Sequence, residues 1–135
     1  MPVAGTLVDS NVLLDLFTAD PQWLEWSEAQ VADALDRGQV LINPIIYAEV
    51  SISFERIEQL ERALPAELER EALPWEAAFL AGKCFVEYRR RGGEKRSPLP
   101  DFYIGAHAAL TGRVLLTRDP SRYRSSFPRL KLISP

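Results

Sequence analysis

Four short, largely apolar segments separated by longer stretches of helical periodicity constrain the fold of this chain more than any other feature. They comprise residues 5–9, 40–42, 114–117 and 130–133. Continuous apolar runs without alternation are typical of parallel strands that are covered on both faces. Strands that alternate with helices indicate an α/β architecture. We therefore predict an α/β/α sandwich around a short, mostly parallel central sheet, formed as a single domain over residues 1–135.

Helix-start signals and apolar periodicity predict helices between these segments. The predicted helices start at Ser10-Asn11, Asp20-Pro21, Asn43-Pro44, Pro74 and Pro100. Residues 53–71 are expected to continue helically as scaffold, with a break at Pro65. The helix from Pro74 is predicted to end near Tyr88, and an arginine-rich turn is expected after Asp119-Pro120.

Four acidic residues lie where strand ends and helix starts are expected to meet. Asp9 ends the first strand and Asp119 follows the third by two residues, whereas Glu49 and Asp101 lie in helices. Ligands of parallel sheets bind beyond the carboxyl ends of the strands. Carboxylates without His or Cys partners favour a hard cation, Mg²⁺ or Mn²⁺. Such an ion can activate water, which predicts hydrolysis of a phosphodiester.

The charge of the chain is divided between its two parts. Residues 1–78 contain 15 acidic and 4 basic residues, whereas residues 79–135 contain 12 basic and 4 acidic residues. This asymmetry indicates a polyanionic partner for the second part. The residues predicted to bind phosphates of such a partner are Arg89, Arg90, Arg91, Lys95, Arg96 and Arg118. Arg122 and Arg124 would extend the same surface, and binding of a partner protein or a solvated helix end are the alternatives for the arginine-rich segment.

The segments around the four acids resemble the PIN-domain nucleases, and among them the VapC-type toxins of type II toxin–antitoxin systems. The matching segments are Leu-Val-Asp-Ser-Asn-Val-Leu-Leu-Asp at 7–15, Ile-Asn-Pro-Ile-Ile-Tyr-Ala-Glu at 42–49, Leu-Pro-Asp-Phe-Tyr-Ile-Gly-Ala-His-Ala at 99–108 and Leu-Leu-Thr-Arg-Asp at 115–119. Their order and spacing agree with the family, so the resemblance covers essentially the whole chain.

The resemblance implies roles for individual residues. It places the family's acidic, metal-binding positions at Asp9, Glu49, Asp101 and, as a fourth and more variable position, Asp119. Asn11 and Thr117 fall on polar positions beside the site, where Asn11 would hold a carboxylate or a water. The resemblance also implies a Mg²⁺- or Mn²⁺-dependent endoribonuclease that cleaves tRNA or rRNA, a cognate antitoxin that silences it, and a homodimer.

Two other functions are compatible with an α/β fold that carries these acids. A non-catalytic RNA- or protein-binding module with the same fold is the main alternative. A magnesium-dependent phosphatase of the haloacid dehalogenase class is disfavoured, because Asn11 stands where that chemistry expects a second acid.

The sequence predicts a cytoplasmic protein that is not bound to membranes. It has a single cysteine, Cys84, its amino terminus lacks signal-peptide features, and it contains no long apolar run.

Several other side chains receive structural interpretations. Asp15 matches no ligand position and is interpreted as a surface or helix-end charge. His107 is interpreted as a packed residue in preference to a catalytic base. The aromatic pairs at helical spacing are predicted to lie in the core more often than on a binding surface; they are Trp23 with Trp26 and Trp75 with Phe79.

Overall fold

Helices and strands alternate along the chain in the computed structural model, which describes residues 5–94 and 99–135. The strands in these residues are β1 (Thr6–Val8), β2 (Val40–Ile42), β3 (Glu69–Arg70), β4 (Val114–Leu116) and β5 (Leu132–Ile133). The helices are α1 (Ser10–Thr18), α2 (Leu24–Arg37), α3 (Pro44–Ser51), α4 (Ile57–Ala63), α5 (Trp75–Arg90), α6 (Pro100–Thr111) and α7 (Ser121–Ser126). The predicted α/β class is confirmed.

The five strands form one sheet in the order β3-β2-β1-β4-β5, and every neighbouring pair is parallel. β1 lies at the centre, where Leu7 pairs with Leu41 of β2 and with Leu115 of β4. The chain builds outward from β1 on one side through β2 and β3, and on the other side through β4 and β5. The direction of the strand order therefore reverses beside β1, and its carboxyl end is the edge where doubly wound sheets bind ligands.

The core lies on both faces of the three central strands. Leu7, Val8, Ile42, Leu115 and Leu116 are all buried. Burial on both faces explains why these strands are continuous apolar runs without alternation. Helix α6 also packs closely on the segment after α7, since a Cβ added at Gly105 would lie 2.3 Å from the ring of Phe127.

The prediction of helical structure over residues 53–71, broken at Pro65, is confirmed only for Ile57–Ala63 and is wrong for the rest. Helix α3 ends at Ser51, α4 is only seven residues long, and Glu69–Arg70 forms the edge strand β3 beside β2. Both side chains of β3 are exposed and charged, so this strand is held by backbone hydrogen bonds and carries no apolar pattern. The arginine-rich turn after Pro120 is likewise a short helix, α7.

Two predicted helix starts also need correction. The carboxylate of Asp9, and neither Ser10 nor Asn11, caps α1 by accepting from the Ser10 N–H. Asp20 accepts from the backbone N–H groups of residues 22 and 23, both at 2.9 Å, and this turn delays the start of α2 to Leu24. The predicted cap of α3 is confirmed, because Asn43 Oδ1 accepts from the backbone N–H of residue 46.

His107 is fully buried, as predicted, and ties α6 to α3 and to the end of β3. The Asn43 amide lies 2.9 Å from His107 Nδ1, and Glu71 Oε1 lies 2.8 Å from Nε2. Because Asn43 uses its oxygen to cap α3, its NH₂ group donates to Nδ1, and the ring proton on Nε2 donates to Glu71. A hydrogen bond from Arg113, and the weaker one from His107, keep the pKa of Glu71 below its usual value.

The aromatic residues divide into two groups. Trp23 and Trp26 are partly buried and pack edge to face with ring centroids 6.1 Å apart. Trp75 and Phe79 are 88% and 69% exposed, so the prediction that this pair lies in the core is wrong. A different face of α5 packs on the core: Ala77 and Ala81 are fully buried there, and Leu80, Cys84, Phe85 and Tyr88 are partly buried beside them. Within residues 5–94 and 99–135, no helix combines the length and the apolarity needed to cross a membrane.

Candidate active site

Asp9 is placed at the carboxyl end of the central strand by the sheet itself. Its backbone N–H donates to the carbonyl of Leu116 at 2.9 Å, which continues the ladder between β1 and β4. Its φ and ψ of −67° and 153° are those of extended backbone, and α1 begins at the next residue. Its Oδ1 accepts from the Ser10 N–H at 2.8 Å. The carboxylate is therefore buried and held in one orientation at the edge where the strand order reverses.

Asn11 and Thr117 hold the second oxygen of Asp9. Thr117 Oγ1 donates to Asp9 Oδ2 at 2.8 Å, and Asn11 Nδ2 lies 3.4 Å from the same oxygen. Asn11 Nδ2 also lies 3.3 Å from Thr117 Oγ1, and its Oδ1 accepts from the Arg118 N–H at 3.1 Å. The polar side chains that follow β1 and β4 thus form one network around Asp9.

Tyr123 joins Asp9 to Asp101. This residue of α7 is buried, and its hydroxyl lies 2.9 Å from Asp9 Oδ2 and 3.3 Å from Asp101 Oδ1. A phenol has a single proton, so it donates fully to only one of the two carboxylates at a time. Burial, and then the charges of the two carboxylates, raise the pKa of Tyr123 far above its usual value, so it stays a protonated donor.

Ser10 joins Asp9 to Glu49. Its backbone N–H donates to Asp9, and its hydroxyl donates to Glu49 Oε1 at 2.9 Å. Asp9 after β1, Glu49 of α3 and Asp101 of α6 are therefore connected through one serine and one tyrosine. The structure brings these three predicted site residues together, although they are separated by 40 and 52 residues in the sequence.

The electrostatics of this cluster favour the uptake of positive charge. Burial is the main cause that raises the pKa of Asp9, the charge of Asp101 adds to it, and hydrogen bonds from Thr117 and Tyr123 oppose it. The pKa of Glu49 is raised mainly by burial and further by the charges of Asp9 and Asp101. Both raised pKa values mean that the negative charges of the ionised carboxylates are not fully balanced by their surroundings. A bound proton or cation would balance them.

Asp101 and Asp119 lie nearer the solvent. Asp101 Oδ2 forms an ion pair with Arg122 Nη1 at 3.1 Å, so a cationic side chain borders the acidic cluster. Asp119 is exposed; its Oδ1 accepts from the Ser121 hydroxyl at 3.3 Å, and its N–H donates to Thr117 Oγ1 at 3.1 Å. Asp119 is therefore connected to Asp9 through Thr117 and lies at the rim of the cluster.

The acidic cluster has donor atoms that suit a metal ion, but their arrangement does not yet surround one. Carboxylate oxygens with raised pKa values suit a hard divalent cation. In the described part of the chain, however, no three acidic, histidine or cysteine side chains are already arranged so that they could hold one ion. The Tyr123 hydroxyl lies between Asp9 and Asp101, and Arg122 pairs with Asp101. The donors fit a metal chemically, and binding would require these partners of Asp101 to move.

Arg118 and Asp15 form a separate buried ion pair. Asp15 is only 2% exposed and accepts from Arg118 Nε at 2.8 Å, from Arg118 Nη2 at 2.9 Å and from the Ser27 hydroxyl at 2.7 Å. The guanidinium also lies over the ring of Trp23, 5.3 Å from its centroid. The interpretation of Asp15 as a surface or helix-end charge is wrong, because its carboxylate is buried and paired with Arg118. A role of Arg118 in RNA binding stays a prediction.

The other candidate RNA-binding residues lie near the end of α5. Arg91 and Arg122 border a cleft of about 420 Å³ that is also lined by Ser121, Ser125 and Ser126. In the turn after α5, a Cβ at residue 93 would meet the ring of the tyrosine at 88, so a side chain there would require this ring to move. Arg90 pairs with Glu87, Arg89 donates to the backbone oxygen of residue 94, and Lys95 and Arg96 lie outside the described residues.

Some members of this site could not be found from the sequence. Tyr123 lies in an arginine-rich segment without a motif around it, and only the packing of α7 against α6 brings its hydroxyl to the carboxylates. Ser10 reads as an ordinary helix-start residue, and its bond to Glu49 depends on how α1 and α3 pack. The sequence predicts Arg122 on the RNA-binding surface but gives no indication that it pairs with Asp101.

A doubly wound parallel sheet with acidic side chains beyond its central strands defines an α/β protein with a candidate cation site. A model of the PIN domain family matches residues 6–127. No curated protein matches the sequence significantly. Because the family model covers most of the chain, the chain belongs to the PIN domain family, as its sequence motifs indicate.

Solved structures share the fold at low sequence identity. A chain of VapBC2 from Rickettsia felis, bound to a DNA fragment from its promoter, has a TM-score of 0.75 and 18% identity, with 96% of this chain and 98% of that chain covered. For VapBC-1 from nontypeable Haemophilus influenzae the TM-score is 0.70, the identity 19% and the coverage 96% of each chain. For a toxin–antitoxin complex from Klebsiella pneumoniae the TM-score is 0.68, the identity 22% and the coverage 96% of each chain.

Proposed function

We propose that this chain is a VapC-type endoribonuclease that depends on Mg²⁺ or Mn²⁺. The observation that carries the proposal is the convergence of Asp9, Glu49 and Asp101 at the reversal point of the sheet. These residues would hold the cation, and Asp119 would assist from the rim. The raised pKa values of Asp9 and Glu49 support the proposal, because they indicate negative charge that lacks a compensating cation.

The protein's own residues would position the cation and leave the chemistry to it. When bound, the cation would activate a water and neutralise charge that develops on the phosphodiester. Asn11, Thr117 and the Ser10 N–H keep the Asp9 carboxylate in one orientation. His107 cannot act as a general base, since both of its ring nitrogens are bonded within the core.

The cleft beside Asp101 supports RNA as the substrate. Within the described residues the side chain of Arg91 forms no ion pair or hydrogen bond, and Arg122 lies at the junction between this cleft and the acidic cluster. Two guanidinium groups and three serine hydroxyls are suitable ligands for a phosphate of the strand that is being cut. Neighbouring arginines of α5 would add binding through the release of counterions.

The proposal includes an antitoxin and a second copy of this chain as partners. Solved structures that share the fold come from complexes described as VapBC or toxin–antitoxin complexes. A chain of this type would be inactive in the cytoplasm while a cognate antitoxin covers it, and it would cleave RNA when released.

The function is tested by incubating the purified chain with total RNA. New RNA ends are expected in the presence of Mg²⁺ or Mn²⁺, and EDTA should prevent them. Sequencing of the cleaved ends would identify the target. If no divalent cation supports cleavage, the proposed activity is wrong, provided that the protein is shown to be folded by circular dichroism.

A non-catalytic RNA- or protein-binding module is the second candidate. The observation that favours it is that Tyr123 and Arg122 already satisfy Asp101 and that no ready-made metal site exists in the described part of the chain. RNA binding that is unchanged by EDTA, without cleavage under any divalent cation, would favour this function over the nuclease.

Binding of the cation should raise thermal stability. Mn²⁺ at a hundred times its dissociation constant would stabilise the folded state by about 2.7 kcal/mol if it does not bind the unfolded chain. We expect the melting temperature to rise with Mn²⁺ for the parent chain and for Asp33→Asn, which changes an exposed acid of α2. The rise should vanish for Glu49→Gln. An equal rise in all three proteins would place the bound ion elsewhere.

Tyr123→Phe should move the pH dependence of cation binding upward. The Tyr123 hydrogen bond lowers the pKa of Asp9, so its removal raises that pKa further. Because a protonated carboxyl does not bind a cation, the pH at which Mn²⁺ binding is half-maximal should increase. Mn²⁺ titrations between pH 4 and 8, followed by the melting temperature, measure this midpoint. A midpoint that stays the same or falls would contradict the role assigned to the Tyr123 hydroxyl.

A further inference from the structure

Arg122 belongs to two sites at once, the acidic cluster and the cleft beside it. Its Nη1 pairs with Asp101 Oδ2 at 3.1 Å, and the same residue lines the cleft of about 420 Å³ together with Arg91. The described residues that line this cleft include two arginines and three serines and no acid. The Arg122 guanidinium therefore has two anionic groups that it can bind, a carboxylate of the cluster or a phosphate in the cleft.

The pair of Arg122 with Asp101 has the features of a contact that can be exchanged. Within the described residues a single guanidinium nitrogen binds the carboxylate, and the Arg122 side chain is 54% exposed. The pair of Arg118 with Asp15 is the opposite case, because two nitrogens bind a carboxylate that is 2% exposed. Exposed ion pairs contribute little to stability. Arg122 can therefore leave Asp101 at little cost to the fold.

The residue after Arg122 keeps α7 in place while the arginine changes its partner. Tyr123 is buried, and its hydroxyl lies 2.9 Å from Asp9 Oδ2. This contact fixes the backbone of α7 beside the cluster. The Arg122 side chain is long and exposed, so it can reach another anion by changing its rotamer alone.

We propose that Arg122 exchanges the Asp101 carboxylate for a phosphate of the RNA when the acidic cluster takes up its divalent cation. This exchange rests on the proposed function, because it requires a cation at the carboxylates. Without the cation, Arg122 balances part of the negative charge of the cluster and competes for Asp101. With the cation on Asp101, the guanidinium faces a like charge and is repelled. Arg122 is then released to bind a phosphate beside Arg91.

The exchange couples the binding of RNA to the binding of the cation. Arg122 contributes to RNA binding only after it has left Asp101, so the chain without its cation binds RNA weakly. Coupling between two binding sites is reciprocal. A phosphate that holds Arg122 in the cleft therefore strengthens cation binding by the same factor. The order of events is that the cation enters first and the RNA strand follows.

Calorimetric titration of the full chain with Mn²⁺, without RNA, is the first test. Arg122→Gln should bind Mn²⁺ at least about fivefold more tightly than the parent, because the competitor for Asp101 is gone. Arg91→Gln and Arg129→Gln remove the same charge from exposed positions that do not pair with Asp101. At about 0.15 M salt, which screens such charges, both should bind Mn²⁺ as the parent does.

Fluorescence anisotropy with a short, labelled 2′-O-methyl RNA oligonucleotide, which resists hydrolysis, is the second test. Affinities are compared in EDTA and in Mn²⁺ at a concentration that saturates the site. The gain in affinity on adding Mn²⁺ should be at least about fivefold smaller for Arg122→Gln than for the parent. Arg91→Gln should weaken binding under both conditions, since Arg91 borders the cleft in either state. Arg129→Gln is the control and should behave as the parent.

Failure of the exchange and failure of the proposed function give different results. If the parent binds no Mn²⁺, or binds it no better than Glu49→Gln, the proposed function fails and the exchange fails with it. If Mn²⁺ binding depends on Glu49 but Arg122→Gln binds Mn²⁺ no more tightly than Arg91→Gln, only the exchange is wrong. An equal Mn²⁺-dependent gain in oligonucleotide affinity for Arg122→Gln and the parent would also overturn it.

Discussion

Asp9→Asn is expected to lower RNA cleavage by at least about a thousandfold, the scale of several kcal/mol that a metal ion contributes to a transition state. The change removes the negative charge at the centre of the acidic cluster and leaves the shape of the side chain the same. The amide oxygen can still accept a hydrogen bond, and the Thr117 and Tyr123 hydroxyls can rotate to accept from the amide nitrogen. The fold should therefore be retained while activity is lost, as measured by cleavage of total RNA and by circular dichroism.

The control for this prediction is the exposed-acid variant Asp33→Asn. It should cleave RNA at the parent rate, and Asp101→Asn should resemble Asp9→Asn. Full activity of purified Asp9→Asn would contradict the site assignment. If Asp9→Asn loses both its activity and its circular dichroism signal, Asp101→Asn becomes the test of the site assignment. Asp101 is partly exposed and is therefore less important for the fold.

Arg118→Met is expected to destabilise the fold by about 3 kcal/mol, without any direct role in the acidic cluster. It removes the bidentate partner of Asp15 and leaves a carboxylate that is 2% exposed with only the Ser27 hydroxyl as a side-chain donor. A buried ion pair that loses one partner typically costs about 3 to 5 kcal/mol, because the remaining charge is uncompensated. Urea denaturation of the parent and the variant measures this difference.

The double variant Asp15→Leu/Arg118→Met separates loss of the pair from an uncompensated charge. Without the buried carboxylate no charge is left unpaired, and apolar side chains fill the same space, so most of the stability should return. If the stability of Arg118→Met lies within about 0.5 kcal/mol of the parent, the scale of an ordinary surface substitution, the ion pair of Asp15 and Arg118 does not stabilise the fold. Stability of Arg118→Met must also be known before any loss of RNA binding is assigned to its charge.

The central part of the fold could be predicted because its strands are buried on both faces. The strands β1, β2 and β4 each carry a continuous apolar run, and the helices between them have local start signals such as Asn43-Pro44. Strand β3 could not be predicted, because its two residues are charged and exposed and only backbone pairing with β2 defines them. A hydrophobic pattern indicates which residues are buried, so it does not identify an exposed strand that is held at the edge of a sheet by backbone pairing.

The candidate site divides in the same way. Asp9 could be identified because it directly follows a buried strand, and the motifs around Glu49 and Asp101 completed the set. Tyr123 and the pair of Asp15 with Arg118 depend on contacts across about 100 residues of sequence, and no local pattern reports such contacts.

The prediction that Trp75 and Phe79 lie in the core fails for a different reason. Apolar residues at helical spacing indicate that one face of the helix is covered, but they do not tell whether the same chain or another molecule covers it. Trp75 and Phe79 have the spacing of core residues, but a different face of α5, with Ala77 and Ala81 fully buried, packs on the core. Such a case is resolved only by tertiary packing.

The central claim is that Asp9, Glu49 and Asp101 together hold a divalent cation. Anomalous diffraction from crystals grown with Mn²⁺ tests it most directly, because the signal locates manganese without reference to activity. The account predicts a manganese peak bounded by oxygens of these three carboxylates, with Arg122 turned away from Asp101. Well-ordered crystals that show no peak between the three carboxylates, or a peak only at another site, would contradict it.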